Sequence, residues 1–182
     1  GKMNSPLDLK PVCNEDEYNI LAESLNKAGE ICNSFGMNLA FHHHMGNYIQ
    51  NEIEIETLLS KTDPSSVYLC ADTGHLYFAG VNPITFFEKH LQRIKHIHFK
   101  DLRLQVLENI NFQSESFLKS VLKGVFTVPG DGGIDFVSIG NVIKASGYEG
   151  WIIVEAEQDP AIYNPLELAI SSKKYLDKIW SN

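Results

Sequence analysis

The sequence predicts an α/β fold that is built on a parallel β-sheet. Short apolar segments of strand length alternate with longer segments whose apolar residues recur at three- and four-residue spacings. Several of the short segments end abruptly in histidine or carboxylate residues, as buried strands do when they deliver polar groups at their C-terminal ends. Alternating strands and helices favour a parallel sheet, whose right-handed crossovers bring the C-terminal ends of all strands to one face.

The first half of the chain is predicted to form two helices and two strands. The opening helix combines helical apolar spacing with a terminating glycine, Gly36. The two strands are short apolar runs that end in polar residues. The predicted order is a helix over 15–35, a strand over 39–43, a helix near 52–61 and a strand over 67–71.

The second half continues the alternation of helices and strands. Pro83 at a first-turn position opens the next helix, and a turn cluster, Pro129–Gly133, follows a short apolar run. His90, inside that helix, is expected to face solvent or to have a structural role. The predicted helices cover 83–92, 114–122, 135–146 and 165–179, and the predicted strands cover 94–98, 125–128 and 151–155.

The number of strands bears on the architecture. Five strands are predicted, whereas a closed β/α barrel has eight, with its active site at the C-terminal face. The helix at 15–35 has no identifiable strand before it. Two architectures therefore stay open, an open sheet and a barrel without its first three strands. The length of 182 residues is that of one domain.

Composition and charge narrow the classes of function. The chain is 43% hydrophobic and 21% charged, and its net charge of −8 disfavours nucleic-acid binding through general electrostatics. No apolar stretch approaches the roughly 18 residues that a membrane span needs, and residues 1–6 lack the apolar segment of a signal peptide. Three cysteines without a Cys-x-x-Cys pair favour a reduced, cytoplasmic setting over disulfides.

Four predicted strands end in side chains that bind divalent metals. Histidines and carboxylates brought to one edge of a sheet predict a metal site there. Because alternate residues of a strand share a face, His42 and His44 are expected to point together, with His43 pointing away. The polar residues at these strand ends are His42, His43, His44, Asp72, His75, His96, His98, Glu155 and Glu157.

Five longer motifs carry a resemblance to a known family. They are Phe-His-His-His-Met-Gly at 41–46, Asp-Thr-Gly-His at 72–75, His-Ile-His-Phe-Lys-Asp at 96–101, Val-Pro-Gly-Asp-Gly at 128–132 and Glu-Ala-Glu-Gln-Asp-Pro at 155–160. In this order they resemble the inosose dehydratases of inositol catabolism, within the xylose-isomerase-like barrel superfamily. The resemblance runs from about Pro6 to the C-terminus and covers only the later part of the family's chain. It implies an α/β fold of the (β/α)8 TIM-barrel type that lacks about the first three β/α units, with residues 1–182 as a single domain.

The resemblance implies a metal-dependent lyase. By their positions in the motifs, the metal ligands would be His42, Asp72, His98 and Glu155, and the ion Mn²⁺ or Co²⁺. Zn²⁺ also suits a mixed set of histidine and carboxylate ligands. The implied reaction dehydrates 2-keto-myo-inositol (inosose) to a trihydroxycyclohexane dione. Related sugar epimerases carry a glutamate where His42 stands, and the loss of that acid/base group favours elimination over epimerisation.

The implied dehydration needs a base beside the ketone and an acid at the departing hydroxyl, with the metal as a Lewis acid. Glu155 or Glu157 is the candidate base, and His75 or Lys100 is the candidate acid. The residues expected to bind substrate hydroxyls or a developing oxyanion are Arg103 and His44.

Two other functions stay open at this point. The first is a sugar isomerase or epimerase on the same scaffold. The second is a truncated, inactive fragment that binds metal or assembles with itself, since a partial barrel exposes unpaired strand edges and part of an apolar sheet face. The expected partner is a small cyclic polyol or sugar, with neither nucleic acid nor membrane, and a homo-oligomer is compatible with all three functions.

Overall fold

The computed structural model describes residues 4–181 and contains a parallel sheet flanked by helices. The strands are β1 (Leu39–His42), β2 (Val67–Asp72), β3 (Ile94–Phe99), β4 (Asp101–Leu102), β5 (Phe126–Thr127) and β6 (Trp151–Val154). The α-helices are α1 (Glu15–Ser34), α2 (Glu52–Lys61), α3 (Thr73–Phe78), α4 (Pro83–His90), α5 (Leu104–Leu107), α6 (Phe117–Leu122), α7 (Phe136–Ala145) and α8 (Pro165–Trp180). Short 3-10 turns lie at Leu7–Leu9 and Leu91–Arg93.

The parallel sheet has the strand order β1-β2-β3-β6. Its register places His42 opposite Cys70 and Asp72 opposite His98. The Glu155 N–H donates to the Phe99 carbonyl oxygen at 3.1 Å, which extends the β3–β6 ladder by one residue. The C-terminal ends of all four strands therefore meet at one edge of the sheet, as the alternation of strands and helices predicts.

One predicted strand lies outside this sheet. Residues 125–128 are predicted to be its fifth member, and this is wrong, because only Phe126–Thr127 form a strand and they pair antiparallel with Asp101–Leu102. Pro129 follows almost at once and cannot donate a ladder hydrogen bond, so the strand cannot lengthen across the sheet. As a result β3 pairs directly with β6, and the parallel sheet has four strands rather than five.

Asparagine caps fix where three of the main helices begin. Asn14 and Asn51 each form a capping box, in which the asparagine side chain accepts from the third helical N–H and the glutamate there accepts from the asparagine N–H. Asn82 caps α4 immediately before Pro83 at the first helical position. These caps set the residues at which α1, α2 and α4 begin.

The hydrophobic core lies between the sheet and its helices. Leu69 and Ile97 of the central strands are fully buried, as are Phe86 and Phe87 of α4. The strands β1 and β6 form the two edges of the four-stranded sheet, and Trp151 of β6 is 75% exposed. Within residues 4–181, the helices are all too short or too polar to cross a bilayer.

Candidate metal centre

Four side chains from four different strands converge at the C-terminal edge of the sheet. His42 ends β1, Asp72 ends β2, His98 lies one residue before the end of β3, and Glu155 follows β6 directly. One nitrogen or oxygen atom from each lies within 4.8 Å of those of the other three. The geometry thus brings together the four residues that the motif resemblance predicts as ligands.

The Asp72 carboxylate stands at the middle of this cluster. Its Oδ2 atom is 3.7 Å from His42 Nε2 and 3.6 Å from His98 Nδ1. His98 Nδ1 is in turn 3.0 Å from Glu155 Oε2. The other oxygen, Asp72 Oδ1, accepts a hydrogen bond of 2.8 Å from the His75 N–H and so caps α3. The cap fixes the carboxylate with Oδ2 towards the other three side chains.

The donor atoms of this cluster fit a divalent cation. Asp72 Oδ2, His98 Nδ1 and Glu155 Oε2 are buried and form no hydrogen bond among the described residues 4–181. They lie at ion-pair distances from one another and from Lys100 Nζ, but buried polar atoms that lack hydrogen bonds are costly, so three of them at one point indicate a site for a bound group. Two imidazole nitrogens and two carboxylate oxygens form a ligand set that Mn²⁺, Co²⁺ and Zn²⁺ all accept.

The protein itself holds these carboxylates in their charged form. Burial opposes ionisation of Asp72, but His42 and His98 beside the carboxylate, together with His75 and Lys100, hold its pKa well below the usual range. His98 beside Glu155 lowers the pKa of that carboxyl, against the opposing effect of burial. The carboxylates favour the charged imidazolium in return, and Asp72 above all raises the pKa of His98 to about 11. A cation is therefore the group that this cluster favours.

A second cluster adjoins the first. It contains His44, His75 and Glu157, whose donor atoms also lie within 4.8 Å of one another, and the buried ammonium of Lys100. The imidazole rings of His44 and His75 are 3.9 Å apart between centroids. Burial lowers the pKa of His75 well below its usual value, so its imidazole is neutral at pH 7.

Lys100 joins the two clusters. Its Nζ donates to Glu157 Oε2 at 2.7 Å and lies 3.0 Å from His75 Nε2. The same atom is 3.2 Å from Glu155 Oε2 and 3.5 Å from Asp72 Oδ2. Burial opposes its charge, but these three carboxylates outweigh burial and raise the pKa of Lys100, so the side chain stays an ammonium.

The three consecutive histidines divide between two faces, as strand alternation predicts. His42 and His44 face the two clusters, whereas His43 is fully buried on the other side beside Phe86. His43 Nε2 accepts a hydrogen bond of 3.2 Å from the Asp72 N–H. Burial lowers the pKa of His43 to about 3, so it stays neutral and supports the backbone behind the site.

Arg103 stands apart from the two clusters, whereas the His96 ring lies edge-on to the ring of His98, with 5.3 Å between centroids. The Arg103 guanidinium donates to the carbonyl oxygens of Gly124 and Phe126 at 2.9 and 3.2 Å and to Asp131 Oδ2 at 2.7 Å. Its Cζ atom lies 4.5 Å from the centroid of the Tyr163 ring. No contact described within residues 4–181 joins Arg103 to the four strand-end ligands. Substrate binding by Arg103 therefore stays a prediction, and the role seen is to hold the loop after β5.

Two further residues support the site without having been predicted. The buried Asp101 carboxylate accepts from the N–H groups of Gly130, Gly132 and Ile134 at 2.9 to 3.2 Å, which fixes the turn after β5. Cys70 lies two residues before Asp72, and its sulfur comes within 4.8 Å of nitrogens of His42 and His98. Strand alternation gives a signal for Cys70, since residues i and i+2 share a face, whereas no local pattern marks Asp101.

A cavity of about 420 Å³ opens beside the second cluster. Its lining includes His44, Glu157, Phe117 and Lys10. The volume lies within the range of pockets that hold small molecules. The cavity therefore provides space for a ligand of the size of a sugar next to the candidate acid and base groups.

Comparisons with known proteins show which proteins this chain is similar to. A family model described as "Xylose isomerase-like TIM barrel" matches residues 4–179. The chain is 48% identical over 177 residues to an inosose dehydratase of Geobacillus thermodenitrificans and 50% identical over 177 residues to one of Clostridium beijerinckii. Each match covers 97% of this chain and 59% of the relative, so the chain spans about three fifths of the length of these curated relatives.

Solved structures show the same fold at low sequence identity. A structure of the IolI protein with a bound zinc atom superposes with a TM-score of 0.69 at 18% identity, covering 94% of this chain and 59% of the other. An L-ribulose 3-epimerase superposes with a TM-score of 0.70 at 16% identity, covering 96% of this chain and 57% of the other. At such identities these likenesses concern the fold alone.

Proposed function

The chain belongs to the xylose isomerase-like TIM barrel family, and from this premise we propose that it acts as a metal-dependent lyase that dehydrates inosose, 2-keto-myo-inositol. One observation carries the proposal: the four strand ends converge on a cation-favouring cluster in a chain about half identical to inosose dehydratases. We propose His42, Asp72, His98 and Glu155 as the ligands of one Mn²⁺ or Co²⁺ ion, with Zn²⁺ as a substitute. A divalent ion held there supplies Lewis-acid polarisation of a substrate carbonyl.

We assign the base to Glu157 rather than to Glu155. Glu155 belongs to the ligand cluster, whereas Glu157 lies on the cavity side and is held by Lys100 at 2.7 Å. In the proposed reaction the Glu157 carboxylate removes the proton from the carbon beside the ketone. A carboxylate can act as the base here because the ketone acidifies that proton.

Lys100 is the proposed acid for the departing hydroxyl. As the C–O bond breaks, the ammonium gives a proton to the hydroxyl, which leaves as water. The proton that Glu157 has taken then passes to Lys100 across the same 2.7 Å hydrogen bond, and both groups return to their starting states. The buried, neutral His75 sits 3.0 Å from Lys100 Nζ and orients it. One substrate thus loses one water, with no net change in the protein.

The remaining polar groups are proposed to bind the substrate ring. His44 lines the cavity together with Glu157, so its imidazole can contact ring hydroxyls. Arg103 positions the loop after β5 through Asp131, and substrate binding by its guanidinium remains part of the proposal. The proposed substrate is a small cyclic polyol.

The cellular setting and assembly are proposals of the same kind. Cys13, Cys32 and Cys70 are all free thiols, which suits the reduced cytoplasm. Self-association through the exposed edge strand β6 is the proposed mode of any homo-oligomer, since Trp151 and half-exposed Ile153 lie there.

Turnover of 2-keto-myo-inositol by the metal-loaded chain tests the proposed function. Mass spectrometry is expected to detect the loss of one water with the wild type and with the control Glu167→Gln, which changes an exposed residue of α8. Glu157→Gln is expected to lower kcat by about 100-fold or more while metal content is kept. Interconversion of ketoses without loss of water would favour an epimerase instead. Metal binding without turnover of either substrate would favour a non-catalytic fragment.

A further inference from the structure

A third cluster of metal-binding side chains lies on the helical layer, away from the strand ends. Glu52 and Glu56 are four residues apart on α2 and so share one face of that helix, and His90 is the last residue of α4. One donor atom from each of the three lies within 4.8 Å of the other two. None of these residues takes part in the proposed dehydration.

The histidine of this cluster is buried and lacks a hydrogen-bond partner. His90 is only 9% exposed, and its ring packs against Phe86 with 4.5 Å between ring centroids. Its Nε2 atom is buried and completes no hydrogen bond within residues 4–181. That same atom faces the two carboxylates, at 3.5 Å from Glu52 Oε1 and 3.4 Å from Glu56 Oε1.

These separations match the edge of a metal coordination sphere. Ligands at about 2.0–2.1 Å from a tetrahedral ion lie roughly 3.3–3.4 Å from each other. The distances of 3.4 and 3.5 Å from His90 Nε2 are too long for strong hydrogen bonds and close to that ligand–ligand spacing. The two nitrogen–oxygen separations therefore need to change by only a few tenths of an ångström for one ion to bind.

A cation already occupies the outer side of the two carboxylates. The ammonium of Lys89 forms ion pairs with Glu52 Oε1 at 3.2 Å and with Glu56 Oε1. These are the same two oxygen atoms that face His90. The Lys89 side chain is 57% exposed, so it can swing into solvent and leave both oxygens to another cation.

We propose that Glu52, Glu56 and His90 form a binding site for a divalent transition metal, with Zn²⁺ as the best fit. One imidazole nitrogen and two carboxylate oxygens supply three ligands, and water completes the coordination. Mg²⁺ and Ca²⁺ prefer all-oxygen sites, so the imidazole favours Zn²⁺ over them. Because the ligands come from two helices, the bound ion would tie α2 to α4.

Titration of the purified chain with Zn²⁺, monitored by isothermal calorimetry, tests this site. The Asp72→Asn background removes a ligand of the strand-end centre, and the part of the remaining binding that depends on Glu56 reports on the helical site. One equivalent is expected to bind there. It is expected to be lost in Asp72→Asn/Glu56→Gln and kept in Asp72→Asn/Glu88→Gln, which removes an exposed neighbouring carboxylate. Thermal unfolding in chelator checks that each variant is folded.

A fourth variant separates a metal site from a simple ion-pair network. Lys89→Gln removes the competing ammonium, and in the Asp72→Asn background it is expected to tighten Zn²⁺ binding by about tenfold. Zn²⁺ is also expected to raise the midpoint of thermal unfolding of Asp72→Asn but not of Asp72→Asn/Glu56→Gln. Absence of Zn²⁺ binding in the Asp72→Asn chain, or equal binding with and without Glu56, would overturn the proposal.

Discussion

The division of roles among the three histidines predicts that His43 makes the fold sensitive to acid. Burial lowers its pKa to about 3, whereas a histidine in the unfolded chain titrates near 6.5. Between these values the unfolded chain binds a proton that the folded chain does not. The stability that a neutral His43 provides is therefore complete above about pH 6.5 and is lost as the pH falls towards 3.

The magnitude follows from this difference. At pH 5 an exposed histidine is almost fully protonated, and the gap of about 1.5 pH units below 6.5 corresponds to about 2 kcal/mol. His43→Gln keeps an acceptor for the Asp72 N–H but does not titrate. We expect the wild type to lose about 2 kcal/mol more than this variant in free energy of unfolding between pH 8 and pH 5.

Urea denaturation in the presence of chelator, at pH 8 and at pH 5, measures this quantity. The titration of all other groups is common to both proteins, so it cancels in the comparison. His96→Gln is the control, because His96 is only partly buried and its replacement should change the pH dependence less. Equal losses of stability in wild type and His43→Gln would refute the assignment of His43 as a buried, neutral support.

Three further predictions concern the charged groups of the site. Lys100→Met is expected to lower turnover of the proposed substrate by about 100-fold or more while metal is still bound, as compared by kinetics and elemental analysis. Asp101→Ala leaves three backbone N–H groups of the turn after β5 without an acceptor. Urea denaturation should therefore show a loss of about 3 kcal/mol in the free energy of unfolding, whereas Asp8→Ala, at an exposed position, should show little change. Because the pKa of His98 is raised to about 11, a metal must displace its proton. Calorimetry should therefore show that the affinity for the metal rises about tenfold per pH unit between pH 6 and 8. An affinity that does not depend on pH would contradict this.

Much of the strand-end cluster could be predicted from local sequence. Apolar runs that end in His42, Asp72, His98 and Glu155 mark buried strands, and parallel topology then requires their ends to meet. Alternation along β1 also separates His43 from its two neighbours correctly. These features depend on the two-residue alternation of side chains along a strand and on the alternation of strands with helices. Both patterns can be read from a single sequence.

The rest depends on contacts between distant residues that no local pattern shows. Lys100 is a polar residue after a strand, and its burial among carboxylates becomes visible only when Glu157 is brought 2.7 Å away. The run at 125–128 has the composition of a buried strand, but Asp101–Leu102 offers it a nearer partner than the parallel sheet does. His90 is buried against the Phe86 ring and faces the carboxylates of Glu52 and Glu56, and its position in the helix alone does not reveal that this face is covered.

Metal content, measured by elemental analysis after reconstitution with Mn²⁺ or Co²⁺, tests the central claim most directly. The claim is that side chains from four separate strands form one divalent-metal site. The wild type is expected to bind one equivalent more than Asp72→Asn, whereas the control Glu167→Gln should match the wild type. Equal metal content in the wild type and Asp72→Asn would contradict the claim, because Asp72 lies at the middle of the cluster.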